Sequence, residues 1–180
     1  NSTGTSLSVT LGAGNDTFTG DTDTDCADTV NAGAGTDTIQ AGDGNDTITT
    51  GDGSDTVIFD QFTASDREDI SDFTAAAGGD VMKFDISDLQ LASGTEFVGL
   101  VGAVAVNSSE TIVVLTAVGY ATDELAEDAV AGRVTTDGAD MVIIYFNTGD
   151  NTTHICQDVD AGVDGSGTIK LIGKITNITT

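Results

Sequence analysis

The sequence predicts an all-β protein: a solenoid of short stacked strands over the first sixty residues, then a β-rich region with one short helix. Three observations carry this. A nine-residue unit recurs between residues 11 and 58, with glycine and aspartate at fixed places. Of the 30 acidic residues 25 are Asp, and the 180-residue chain has 23 Gly and no Pro. That is a composition of tight turns, because Asp competes with helical backbone whereas Asp and Gly suit turns. The later part of the chain carries β-branched apolar runs, SETIVVLTAV, DMVIIYFN and GTIKLIGKITNI, separated by polar, glycine-containing stretches.

Charge narrows the function classes. Thirty acidic residues against five Lys and Arg give a net charge of -25, which repels nucleic-acid phosphates and anionic membrane surfaces. With 38% hydrophobic residues the chain can still build a core, so its acidity does not imply disorder. No stretch reaches the roughly 20 apolar residues of a membrane helix, and no membrane insertion is expected. The opening NSTGTSLSVT has neither a basic region nor an apolar core and reads as an internal segment of a longer chain.

The repeat can be followed unit by unit. LGAGNDTFT begins at Leu11, and AGAGTDTIQ, AGDGNDTIT and TGDGSDTVI run without interruption from Ala32 to Ile58. Asp37, Asp46 and Asp55 are nine apart, as are Ile39, Ile48 and Val57. Between the first unit and this run lies GDTDTDCADTVN, which ends in the same pattern at Asp28, Thr29 and Val30; it is a repeat with three residues inserted in its turn. Val9 stands nine before Phe18, so a worn unit precedes Leu11. The pairs Gly12/Gly14, Gly33/Gly35, Gly42/Gly44 and Gly51/Gly53 form turns, and the residues after each Asp alternate polar and apolar as a half-buried strand. One apolar side chain per unit cannot be buried alone, so the units must stack.

These units resemble the RTX nonapeptide G-G-x-G-x-D-x-U-x, a calcium-binding repeat. The resemblance implies a parallel β-roll with two nonapeptides per coil, turns alternating sides, and Ca²⁺ ions held between stacked turns by Asp carboxylates and turn carbonyls. It places Asp16, Asp37 and Asp55 on one side and Asp28 and Asp46 on the other. Sites would fall between Asp16 and Asp37, Asp37 and Asp55, and Asp28 and Asp46, with a fourth pairing Asp46 with Asp60 or its neighbours; the eight turn glycines named above frame them. The chemistry agrees independently, since calcium takes six to eight oxygen ligands, from carboxylates and carbonyls. Residues 11–60 hold eleven Asp and no Lys, Arg or Glu, a charge that keeps a metal-free roll loose or unfolded. The family's first glycine is replaced by Leu11, Ala32, Ala41 or Thr50.

Residues 1–62 are assigned to the roll. Residues 63–93 form a capping segment; after Phe59, the side chains of Phe62, Ile70, Phe73, Met82, Phe84, Ile86 and Leu89 can cover the open end, and Asp60, Asp69, Asp72 and Asp80 are further candidate ligands. Residues 94–180 form a β-rich region whose helix, TDELAEDAVAGRV, is capped by Thr122 or Asp123. The pattern Y-F-N-x-x-D-N…D-x-D-x-x-x-D-G-S-G…L-I resembles the C-terminal end of large RTX exoproteins, which implies export by type I secretion machinery. Asp158, Asp160 and Asp164 are a lesser candidate ion site, lacking the distal Glu of an EF-hand.

Catalysis is not expected. His154, the only histidine, lies between two presumed strands, and no HExxH or GxSxG accompanies it. Cys26 and Cys156 either pair or remain thiols. The expected function is a calcium-folding, secreted cell-surface module of a surface-layer protein or adhesin, capable of self-association. The alternative is the secretion and folding tail of an extracellular hydrolase.

Overall fold

The computed structural model describes residues 4–22, 26–60, 66–75, 77–85, 96–100, 110–123, 125–126, 139–161 and 168–176. The chain divides into two compact units, Asn1–Leu89 with Gly173–Thr180, and Gln90–Ile172. Among the described residues no helix is long and apolar enough to cross a membrane.

The first unit is an all-β parallel roll of four coils. The first coil holds β1 (Ser8–Ala13) and β2 (Thr17–Thr19), and the second β3 (Thr29–Gly35) and β4 (Thr38–Gln40). The third holds β5 (Asn45–Thr49), the two-residue β6 (Asp52–Gly53) and β7 (Thr56–Phe59); the fourth holds β8 (Arg67–Ile70) and β9 (Val81–Phe84). Strands β1, β3, β5 and β8 form one parallel sheet, and β2, β4, β7 and β9 the other.

The register stacks like on like. Val9, Val30, Ile48 and Ile70 are successive partners in one sheet, and Phe18, Ile39, Val57 and Met82 in the other. Successive strand residues face opposite ways, so these two apolar ladders meet inside; Val30, Ile39, Ile48, Val57 and Ile70 are wholly buried. The three-residue insertion is absorbed outside the ladder: Thr29 pairs with Ser8, 21 residues back, and with Thr47, 18 ahead, without loss of register.

The capping segment continues the roll instead of merely covering it. Arg67–Ile70 align with Asn45–Ile48, and Val81–Phe84 with Thr56–Phe59; Phe59 and Phe84 stack with centroids 5.0 Å apart. The free edge of β8 is covered by the last residues of β14 (Thr168–Ile175), with Gly173 against Glu68 and Ile175 against Ile70. Covering an edge removes unpaired backbone groups that would otherwise recruit other chains. Phe62, Ile86 and Leu89 lie outside the described residues.

The second unit is a sheet in the order β14, β13 (Thr152–Ala161), β12 (Ala139–Asn147), β11 (Glu110–Tyr120), β10 (Glu96–Leu100). β10, β11 and β12 are parallel; β12 and β13 form an antiparallel hairpin across Thr148–Asn151, where Asn151 takes φ 62°. Val113, Leu115, Ala126, Met141, Ile143, Tyr145 and Cys156 form its core. The described helical residues are Asp123, Leu125 and Ala126. Thr122 caps them, its Oγ1 accepting from the Leu125 N–H at 3.3 Å. His154 is a strand histidine, within β13 and opposite Tyr145 rather than between two strands.

Candidate metal centre

In each repeat the Asp stands two residues before the buried apolar residue, so strand alternation turns both inward. The carboxylates of successive coils therefore stack in two rows. On one side the Asp16 N–H donates to Asp37 Oδ1 at 2.8 Å, the Asp37 N–H to Asp55 Oδ1 at 2.8 Å, and the Asp55 N–H to Asp80 Oδ1 at 3.0 Å. On the other, the Leu7 N–H donates to Asp28 Oδ1 at 2.8 Å, the Asp28 N–H to Asp46 Oδ1 at 2.7 Å, and the Gly44 N–H to Asp66 Oδ1 at 3.1 Å. Asp28 keeps its place despite the insertion beside it.

Each of these bonds occupies one oxygen. The second oxygens of Asp37, Asp46 and Asp55 are buried and have no hydrogen-bond partner among the described residues; the same holds for Asp60 Oδ1 and for both oxygens of Glu68. A buried carboxylate without a counter-charge costs several kcal/mol, and residues 1–66 contain no Lys or Arg. The strain appears in the proton affinities. Burial pushes the Asp46 carboxyl up to about 6, opposed by the Asp28 N–H and reinforced by the charges of Asp28, Asp66 and Asp43. Burial also raises Asp55, and raises Glu68 well above the carboxylate range, with Asp46, Asp60 and Asp66 adding repulsion.

The turns bring carbonyls to the same sides. At Gly33 (φ +97°) an added Cβ would lie 1.9 Å from the Gly12 carbonyl oxygen, and at Gly51 (φ +90°) 1.9 Å from that of Gly33. Only glycine permits both the φ and the approach. On the opposite side Gly42 and Gly44 abut the Asp21 and Cys26 carbonyls in the same way. Gly12 and Gly14 differ from the other six turn glycines. Both lie in the first coil and are exposed, and a Cβ added to either meets nothing within 4 Å. Gly14 is glycine for its φ of +141° alone; it joins the stack through its backbone, its N–H donating to the Ala34 carbonyl at 2.7 Å and its own carbonyl abutting Gly35. The reason is position: the Gly14 turn has a described neighbour, the Gly35 turn, on one side only, whereas the Gly35 turn lies between those of Gly14 and Gly53.

Buried carboxylate oxygens in rows, hard donors only, and carbonyls stacked beside them suit a hard dication with many oxygen ligands, calcium above all. Asp37, Asp46 and Asp55, with the turn carbonyls, are the groups that would hold it.

Residues 8–25 and 27–57 match the family model of the RTX calcium-binding nonapeptide repeat, in four copies. The chain carries a calcium-binding RTX roll. No curated protein matches the chain.

The RTX rows extend past the matched repeats. The fourth coil supplies Glu68 and Asp80, each two residues before an apolar ladder residue, Ile70 and Met82, as the Asp of each nonapeptide is. Glu68 is wholly buried and in register with Asp46, while its other neighbour, Gly173, offers no side chain. Choosing ligands by residue type passes over it in favour of Asp69. Asp69 faces outward, where Arg67 grips both its oxygens at 2.8 and 2.7 Å. Asp72 ties down a turn, accepting from the Thr50 and Gly51 N–H groups at 2.8 and 2.9 Å. Asp60 joins the second side, bonded through Oδ2 to Gln40 Nε2.

In the second unit Asp158 is buried on β13 in register with Met141. Asp160 is also in β13, and Asp164 lies outside the described residues. Neither Cys26 nor Cys156 forms a disulfide. His154 is buried between two carboxylates, Nδ1 at 2.6 Å from Asp123 Oδ1 and Nε2 at 2.9 Å from Asp150 Oδ2. Burial alone would lower its pKa; the two carboxylates outweigh that and raise it.

Proposed function

We propose that this chain is a structural, non-catalytic module that folds when it meets extracellular calcium and forms the secretion and assembly region of a bacterial surface-layer protein or adhesin. The observation that carries this is the stacked carboxylates of Asp37, Asp46 and Asp55, buried in the two rows, whose second oxygens have no hydrogen-bond partner among the described residues. A roll with that arrangement is held open by its own charge where calcium is scarce and closes where it is abundant. An exported chain gains from this coupling, staying extended during passage through type I secretion machinery and folding outside. The resemblance of the Tyr145–Asn151 hairpin and the aspartates after it to the ends of large RTX exoproteins supports the same reading. Each ion neutralises two charges, which weakens repulsion between copies and favours assembly.

Titration of chelator-treated protein with Ca²⁺ tests the proposal. Circular dichroism is expected to show a cooperative gain of β-structure that Mg²⁺, which demands small octahedral shells, does not reproduce. Sedimentation of the calcium-loaded chain is expected to show association. A chain already fully folded in chelator and low salt would overturn the calcium switch. A strict monomer in millimolar calcium would overturn the assembly role in favour of a folding tail for a secreted hydrolase.

A further inference from the structure

The roll accounts for the hard-oxygen chemistry of the chain, but not for the one place where nitrogen, sulfur and oxygen donors meet among the described residues. In the second unit a carboxylate oxygen of Asp123, a ring nitrogen of His154 and Sγ of Cys156 all lie within 4.8 Å of one another. The three come from distant parts of the sequence. Asp123 opens the helical turn capped by Thr122, and His154 and Cys156 are alternate residues on β13, on the face that packs against Tyr145 and Met141.

We propose that Asp123, His154 and Cys156 bind a borderline-soft divalent transition metal of the zinc class. A tetrahedral ion with bonds of about 2.0–2.3 Å spaces its ligands by about 3.3–3.8 Å, so small side-chain shifts within the 4.8 Å cluster complete the triangle and leave a fourth position open. The donor set selects the metal: thiolate and imidazole favour zinc-class ions, whereas calcium and magnesium prefer all-oxygen shells.

The surroundings are those of a metal-bound histidine. Asp150 Oδ2 lies 2.9 Å from His154 Nε2, and a carboxylate accepting from the distal N–H holds the ring so that Nδ1 points at the ion. Cys156 and His154 are buried, while the Asp123 side chain is 26% exposed and gives a route from solvent.

The test is Co²⁺ titration of the chelator-treated full chain, refolded in millimolar calcium to occupy the roll. A thiolate-to-cobalt charge-transfer band in the near ultraviolet, visible bands of tetrahedral cobalt, and loss of both on adding Zn²⁺ are expected. Cys26→Ser should retain the charge-transfer band and Cys156→Ser should lose it. Asp150→Asn should keep the band but weaken binding about 10–100-fold. Absence of a charge-transfer band in the unaltered chain would overturn the proposal whatever the variants do. So would a band that survives Cys156→Ser, or one that disappears with Cys26→Ser.

Discussion

Replacing Asp37 by Asn separates a calcium roll from an ion-free solenoid of the same shape, because the two predict opposite signs. Asp37 is 1% exposed; Oδ1 accepts the Asp16 N–H at 2.8 Å, and Oδ2 is without a partner among the described residues. Asn keeps an oxygen for Asp16 and removes the charge. Exchanging a charged hydrogen bond for a neutral one costs about 1 kcal/mol, while removing an uncompensated buried charge recovers several. The metal-free roll should therefore gain on the order of 1–3 kcal/mol. With calcium the sign reverses. Asp37 sits between the Asp16 and Asp55 levels and flanks two inter-turn positions. An ion at 100 times its Kd contributes about 2.7 kcal/mol, so weakening two such sites 100-fold removes about 4–5 kcal/mol. The net result is a roll about 2–4 kcal/mol less stable than the unaltered one in saturating calcium. Urea unfolding followed by circular dichroism, in chelator and in saturating calcium, measures both. A stability change of the same sign in the two conditions would refute the reasoning.

Two further outcomes follow from the same geometry. Asp46, raised from 3.8 to about 6, adds stability that is complete below its unfolded pKa and is lost as pH rises through 6. Glu68 is raised in the same sense, so the metal-free roll should grow more stable on acidification from neutrality to about pH 4. Glu68→Gln should flatten the melting temperature–pH profile in chelator and raise the calcium midpoint; an unchanged profile would remove Glu68 from the row. Gly78 and Gly51 both have positive φ, but an added Cβ finds nothing within 4 Å at Gly78 and the Gly33 carbonyl at 1.9 Å at Gly51. Gly78→Ala should cost about 1–2 kcal/mol of backbone strain, and Gly51→Ala clearly more, by forcing coils apart. Equal losses would show that the stacked turns are not in contact.

The roll was legible because its information is local. A nine-residue period places each Asp and each apolar residue on the same inward face, and a two-unit coil then sorts Asp16, Asp37 and Asp55 from Asp28 and Asp46 with no need of distant contacts. Glu68 was legible in principle too. Ile70 holds the apolar place, and the residue two before it must face inward with it. What hid Glu68 was its type, since a search for aspartates stops at Asp69, whose parity points it at solvent and Arg67.

Repeat spacing, turn chemistry and two-sided acidity were thus properties of the sequence itself, set by strand alternation and by glycine's access to positive φ. Tertiary structure alone decided the rest. The repeat makes Gly14 and Gly35 equivalent, yet only stacking shows that an added Cβ would collide at Gly35 and not at Gly14. Gly173–Ile175 reach β8 from about a hundred residues away, and no local pattern encodes which edge a distant strand will cover. Asp123 meets His154 across 31 residues, because a capped helical turn and a hairpin bring them to one core. Periodicity records which way a side chain faces; only packing records what it faces.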